Sequence, residues 1–194
     1  MVTEARLERL AVMEKAILVE GITDAAAVRT MASRAGRDLH AEGVAVVSLG
    51  GGGGLETHLR HLGPDGLGLE LLGLCDVDHE ARWARRLERA GLGSDLDREA
   101  MEALGFFVCD RDLEDELIKA LGVDAVESLI AEQGDLHAFQ TLTKQPYHRD
   151  GNRLDQLRRF LTSKSGRKRY IPLLVESLEP GAEPRPLREL LARA

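Results

Sequence analysis

Residues 16–29 read AILVEGITDAAAVR. A short apolar run ends in Glu20, a glycine follows, and Asp24 comes four places after the glutamate. The run has the length and composition of a buried strand, and the alanine-rich continuation has those of a helix. A chain that only had to turn here would use Gly, Asn or Pro. Two carboxylates at the mouth of a hydrophobic strand ask for another explanation. The same ending recurs twice. LELLGLCDVDHE (69–80) closes an apolar run with Asp76 and Asp78, and LGFFVCDRDLEDEL (104–117) closes another with Asp110, Asp112 and Glu114.

Strand and helix patterns alternate outward from this stretch. Residues 3–14 predict a short helix. Strands are expected at 16–20, 44–48, 69–75 and 106–109. Helices are expected at 25–35, up to about 62, from about 80 to 90, and at 113–121. This order predicts an α/β fold: a Rossmann-like parallel sheet of about four strands with helices on both faces. After Gly122 the strand signal stops. Helical periods follow at 125–133, 136–142, 154–161, 168–176 and 187–192, broken by TLTKQPYHRDGN and LEPGAEPRP. The expected organisation is an α/β core over 1–122, with a helical C-terminal region over 123–194 packed on the same domain.

The 194 residues suffice for one such domain. Aromatics make up only 4%, so the core must be built from Leu, Val, Ile and Ala. No apolar run is long enough to span a bilayer, the N-terminus does not read as a signal peptide, and the two cysteines form no CxxC pair. Cys75 and Cys109 read as small core residues in a reducing compartment, which makes a cytoplasmic protein the expectation. The net charge of -7 argues against nucleic acid until it is resolved along the chain. Residues 141–170 carry nine Lys or Arg against two Asp, so that segment is +7 and the remainder -14. A basic segment on an acidic body can grip a polyanion locally. The same run also reads as a solvated helix face.

Open parallel sheets bind ligands at the carboxyl ends of their strands. Glu20, Asp24, Asp76, Asp78 and Glu114 should therefore converge on one edge. Gathered carboxylates repel one another and raise each other's pKa, and a divalent cation relieves them. All-oxygen donors suit Mg²⁺ or Mn²⁺ rather than zinc. Five carboxylates exceed the usual protein share of one Mg²⁺ and suit two ions roughly 3.5–4 Å apart, the spacing used in phosphoryl transfer.

The pattern resembles the Toprim domain. E-G-x-x-D after an apolar strand is matched by Glu20-Gly21-Ile22-Thr23-Asp24, and the later D-x-D by Asp76-Val77-Asp78. With DLEDEL, which supplies Glu114, and a basic SGRK near the end, the likeness is greatest to the Toprim half of overcoming-lysogenization-defect (OLD) family endonucleases. It spans about residues 16–176. The resemblance implies metal-dependent cleavage of phosphodiester bonds in nucleic acid, DNA favoured, by a two-metal mechanism. It implies Glu20, Asp24, Asp76, Asp78 and Glu114 as metal ligands, with Glu20 also in acid/base work. It further implies a late lysine near the scissile phosphate, best matched by Lys168, with Lys164 and Lys144 as rivals. Lys144, Arg158, Arg159, Lys164, Arg167 and Arg169 are the expected nucleic-acid contacts. OLD enzymes join the nuclease to an ATPase, yet no G-x-x-x-x-G-K-[ST] occurs here. A separate ATPase or targeting subunit is the implied partner, and a homodimer stays open.

Other readings compete for these residues. Asp24 serves equally as a helix cap, Asp76 and Asp78 as a turn and cap, and Glu114 as part of an acidic first turn. Gly50–Gly54 reads as a strand-to-helix turn, His79 as a surface histidine at a helix start, and Trp83 and Tyr170 as core. Competing functions are a small Toprim ribonuclease, a nucleotidyltransferase and a non-catalytic metal-holding module.

Overall fold

A computed structural model describes residues 4–50, 54–146, 151–163 and 169–194. The chain divides into two compact units, Met1–Asp112 with Arg185–Ala194, and Leu113–Pro184.

The first unit is built on four strands: β1 (Lys15–Val19), β2 (Val44–Ser48), β3 (Glu70–Asp76) and β4 (Phe106–Cys109). Their order is β2-β1-β3-β4 and every pair is parallel. β1 lies inside the sheet, and Ala16 to Val19 have no exposed surface. That is why this strand reads as an unbroken apolar run rather than an alternating one. Around the sheet are α1 (Glu4–Leu10), α2 (Ile22–Arg34), α3 (Leu55–Leu62), α4 (Glu80–Arg89) and α5 (Arg98–Ala103). α5 is absent from the periodicity-based expectation. Its signal is a cap rather than a period: the Asp97 side chain accepts from the Ala100 N–H at 2.8 Å, and Met101 is fully buried.

The connection from β1 to β2 leaves on one side of β1, and β3 lies on the other. The chain reverses its winding there, so a crevice opens between the carboxyl ends of β1 and β3. Val19 pairs with Leu74, and β3 runs on to Asp76. Continued by one residue, the register sets Glu20 level with Cys75, one place before the Asp76 that ends β3.

Gly73 in β3 makes room for the aromatic layer on the sheet. A Cβ there would lie 2.7 Å from both Trp83 Cζ3 and Phe106 Cδ1. Those rings meet edge to face, with centroids 6.1 Å apart. Gly73→Ala is expected to lower stability by about 1–3 kcal/mol through overpacking. Urea denaturation at unchanged m-value checks it.

The C-terminal helix belongs to this unit. α11 (Arg185–Arg193) buries Pro186, Leu187, Leu190 and Leu191 and packs on β3, β4 and α2. Arg37 donates to the Leu191 carbonyl at 2.6 Å, and Arg193 to the Ala103 carbonyl at 2.7 Å. The expected boundary at 122 thus moves to Asp112, and the last ten residues return to the sheet. The physical reason is where apolar faces go: α6 (Leu113–Leu121) packs on helices of the second unit, and α11 on strands of the first.

The second unit holds α6, α7 (Val123–Glu132), α8 (Leu136–Thr143), α9 (Arg153–Thr162) and α10 (Tyr170–Glu176) among the described residues. Its core stacks Phe139 on Phe160 with centroids 5.2 Å apart, and Phe160 on Tyr170 at 6.2 Å. The Tyr170 hydroxyl donates to Asp135 Oδ2 at 2.8 Å. Burial, and then that carboxylate, push the phenol up to about 12. A raised folded-state pKa stabilises only while the proton stays on. The contribution is whole below pH 10 and is lost as pH rises from 10 to about 12. Tyr170→Phe is expected to remove that alkaline loss, read as a flatter melting temperature between those pH values.

Candidate metal centre

Glu20 follows β1 directly and sits in the crevice beside β3. His79 Nδ1 lies 2.5 Å from both of its carboxylate oxygens, and Trp83 Nε1 donates to Oε1 at 3.2 Å. Glu20, Asp76 and His79 each offer a donor atom, and these three atoms lie within 4.8 Å of one another. All three residues are half-buried. Two carboxylate oxygens and one imidazole nitrogen at that spacing fit a divalent ion.

The sequence reading took His79 as a surface histidine at a helix start and Asp78 as a metal ligand. The turn after β3 gives the two residues different positions. Val77–His79 is a 3₁₀ turn, in which residues three apart eclipse. Asp76 and His79 therefore share a face, and Asp78 stands exposed, outside the cluster. The D-x-x-H spacing was a usable signal, since acid and histidine three apart recur as paired metal ligands on helices.

Asp24 is held in a second way. Gly21 caps α2 with extended backbone, and its N–H donates to Asp24 Oδ2 at 2.7 Å. This is one arm of a capping box. Burial pushes the Asp24 carboxyl up, the Gly21 N–H pulls it down, and the charges of Glu20 and Asp112 push it up again. Asp112 is itself 6% exposed and was not among the expected ligands. The Asp24 carboxyl thus feels the charges of both Glu20 and Asp112, a condition that a cation relieves. Behind them, Cys75 is a buried free thiol. Burial and then Glu20 raise its pKa, which makes it an inert core residue.

A family model described as "Overcoming lysogenization defect protein-like, TOPRIM domain" matches residues 13–78, a span that runs from just before β1 to Asp78. Residues 13–78 are an OLD-like TOPRIM domain. Similar solved structures extend the likeness beyond this TOPRIM segment. The C-terminal region of the Xanthomonas campestris pv. campestris OLD protein is 26% identical, with a TM-score of 0.71 over 93% of each chain. The C-terminal region of the Burkholderia pseudomallei OLD protein is 23% identical and shares the fold, with a TM-score of 0.67 over 93% of this chain and 96% of that one. No curated protein matches significantly. TOPRIM domains bind divalent metals, and the Glu20, Asp76 and His79 cluster lies inside or just beyond the matched span.

The remaining expected site residues fall elsewhere. Glu114 is half-buried on the first turn of α6, in the second unit. Among the expected nucleic-acid contacts, Lys144 and Arg159 are exposed and Arg158 is half-buried. Arg169 is exposed but pairs with Asp135 at 2.8 Å and lies over the Tyr170 ring. Lys164, Arg167 and Lys168 lie outside the described residues. Among the described residues, no helix is long and apolar enough to cross a membrane.

Proposed function

We propose that this chain is an Mg²⁺- or Mn²⁺-dependent nuclease that hydrolyses phosphodiester bonds in nucleic acid, DNA favoured, with two ions. The reading rests on one observation above all. Glu20, Asp76 and His79 present metal-binding atoms within 4.8 Å of one another at the crevice where the sheet reverses its winding. When bound, the ions supply Lewis-acid charge at the scissile phosphate and lower the pKa of the attacking water.

Glu20 and Asp76 would hold the first ion. His79, through Nδ1, and Trp83, through its indole N–H, fix the position of the Glu20 carboxylate. Asp24, Asp78 and Glu114 remain the acids assigned to complete the two-ion set. Glu20 is assigned to take the proton of the attacking water, and Lys168 to the scissile phosphate. A separate ATPase or targeting subunit supplies the module that OLD enzymes carry. Two buried free cysteines fit a reducing cytoplasm.

The test is a cleavage assay on plasmid DNA, single-stranded DNA and a folded RNA, each with Mg²⁺, Mn²⁺ or EDTA, comparing the natural chain with Asp76→Ala. Metal-dependent cutting that disappears in the variant is expected. Cutting of RNA alone would turn the reading to a ribonuclease. No cutting on any substrate, with Mn²⁺ still bound, would overturn it in favour of a metal-holding module.

A further inference from the structure

α4 has the sequence EARWARRLER. At 100° per residue its four arginines, Arg82, Arg85, Arg86 and Arg89, fall within an arc of about 100°. Trp83, Ala84 and Leu87 are buried, on the opposite side of the helix. The two acids of α4 are engaged elsewhere. Glu80 pairs with Arg98 at 2.6 Å, and Glu88 accepts from the Leu96 N–H at 2.9 Å. Arg82 Nε and Nη2 are buried and have no hydrogen-bond partner among the described residues. Buried guanidinium donors of this kind call for an acceptor, and a phosphate oxygen matches them.

The basic face continues into a cleft. Arg86 and Arg89 line a cavity of about 180 Å³ with Arg60 of α3, and Glu56 and Asp65 stand on its wall. At its other end the face begins three residues after His79, whose Nδ1 lies on Glu20. The distance from Arg82 to Arg89 along the helix is about 10 Å. Positive charge therefore runs from beside the metal centre along α4 to the α3 cleft, all within the first unit.

We propose that the arginine face of α4, extended by Arg60, is a track that holds the phosphate backbone of a polynucleotide leading away from the metal centre. This rests on the nuclease reading, which supplies the substrate class, but concerns binding and is measured without cleavage. Phosphate contacts position a nucleic acid without reading its sequence, so the track is sequence-tolerant and salt-sensitive.

The experiment is fluorescence anisotropy in EDTA over a salt series. The probes are a labelled DNA duplex, a DNA single strand and an RNA of the same length. The proteins are the natural chain, Arg85→Ala/Arg89→Ala, Arg82→Met and Arg188→Gln. Each phosphate contact adds about 0.9 to the slope of log K against log salt for duplex DNA. The double variant is expected to lose roughly 1.8 from that slope and at least roughly 10-fold in affinity. Arg82→Met loses about half as much slope. Arg188→Gln, a single charge loss equal to that of Arg82→Met but on the α11 surface, stays within about twofold. The preferred probe identifies which polynucleotide the track carries. Unchanged slope and affinity in the double variant would overturn the proposal, as would no binding of any probe by the natural chain. The two readings fail separately. Track-dependent binding without cleavage sinks only the nuclease, and cleavage indifferent to these arginines sinks only the track.

Discussion

Glu20→Gln is expected to lower metal-dependent cleavage by at least about 100-fold, since even groups that only orient a metal ligand cost 10- to 100-fold when lost. The substitution separates chemistry from architecture. Glutamine keeps the volume of the side chain, and its carbonyl still accepts from Trp83 Nε1, the 3.2 Å contact of the natural protein. What it loses is the negative charge, and with it a metal-ligating carboxylate and the capacity to take a proton. Melting temperature and helix content should therefore stay near the natural values while cleavage and Mn²⁺ affinity fall together. A Glu20→Gln variant that cleaves at the natural rate would remove Glu20 from the mechanism. The same outcome would undo the assignment of the β1–β3 crevice as the active centre.

Trp83→Ala carries the largest expected effect on stability, a loss of about 3–5 kcal/mol. The indole is 1% exposed, lies edge to face on Phe106, and fills the space that Gly73 leaves open. Its removal leaves a cavity over the centre of the sheet. Trp83→Phe isolates the other function of this side chain. It keeps most of the bulk but deletes the donor to Glu20, so the expected result is a modest stability loss with weaker Mn²⁺ binding. Trp83 is also the only tryptophan of the chain. Its emission in the natural protein should change on Mn²⁺ addition and be restored by EDTA. Emission blind to Mn²⁺ at concentrations that support cleavage would break the link between the indole and the metal centre.

Much of the fold was legible because buried parallel strands announce themselves. The runs at 16–20, 44–48, 69–75 and 106–109 correspond to β1 to β4 within a residue or two at each end. Glu20 and Asp76 were legible for the same reason: parallel strands collect their carboxyl ends at one edge. α5 was missed because six residues carry too little period to stand out, although the Asp97 cap was there to be read. The boundary at 122 was misplaced because helical periodicity says that a helix exists and not which surface its apolar face covers. α6 and α11 have similar patterns, yet one packs among helices and the other on strands.

The choice among the acids belonged to backbone geometry on the scale of one turn. From the sequence, Asp76 and Asp78 were equivalent and His79 a bystander. A 3₁₀ turn eclipses positions three apart, so Asp76 and His79 meet at Glu20 and Asp78 faces solvent. Asp112 has no period or motif to mark it, and only tertiary burial brings its charge against Asp24. The arginine face of α4 lies between these cases. Its spacing is present in EARWARRLER, but only the packing of Trp83 and Leu87 against the sheet tells which side of the helix is left for a ligand. Sequence by itself determined the strands, their parallel direction and the acidic edge, because strand burial and strand polarity are local and repeat along the chain. Tertiary structure alone decided which side chains meet at that edge. A single 3₁₀ turn, the register of β1 on β3 and the burial of one indole set distances that no pattern of residue types encodes.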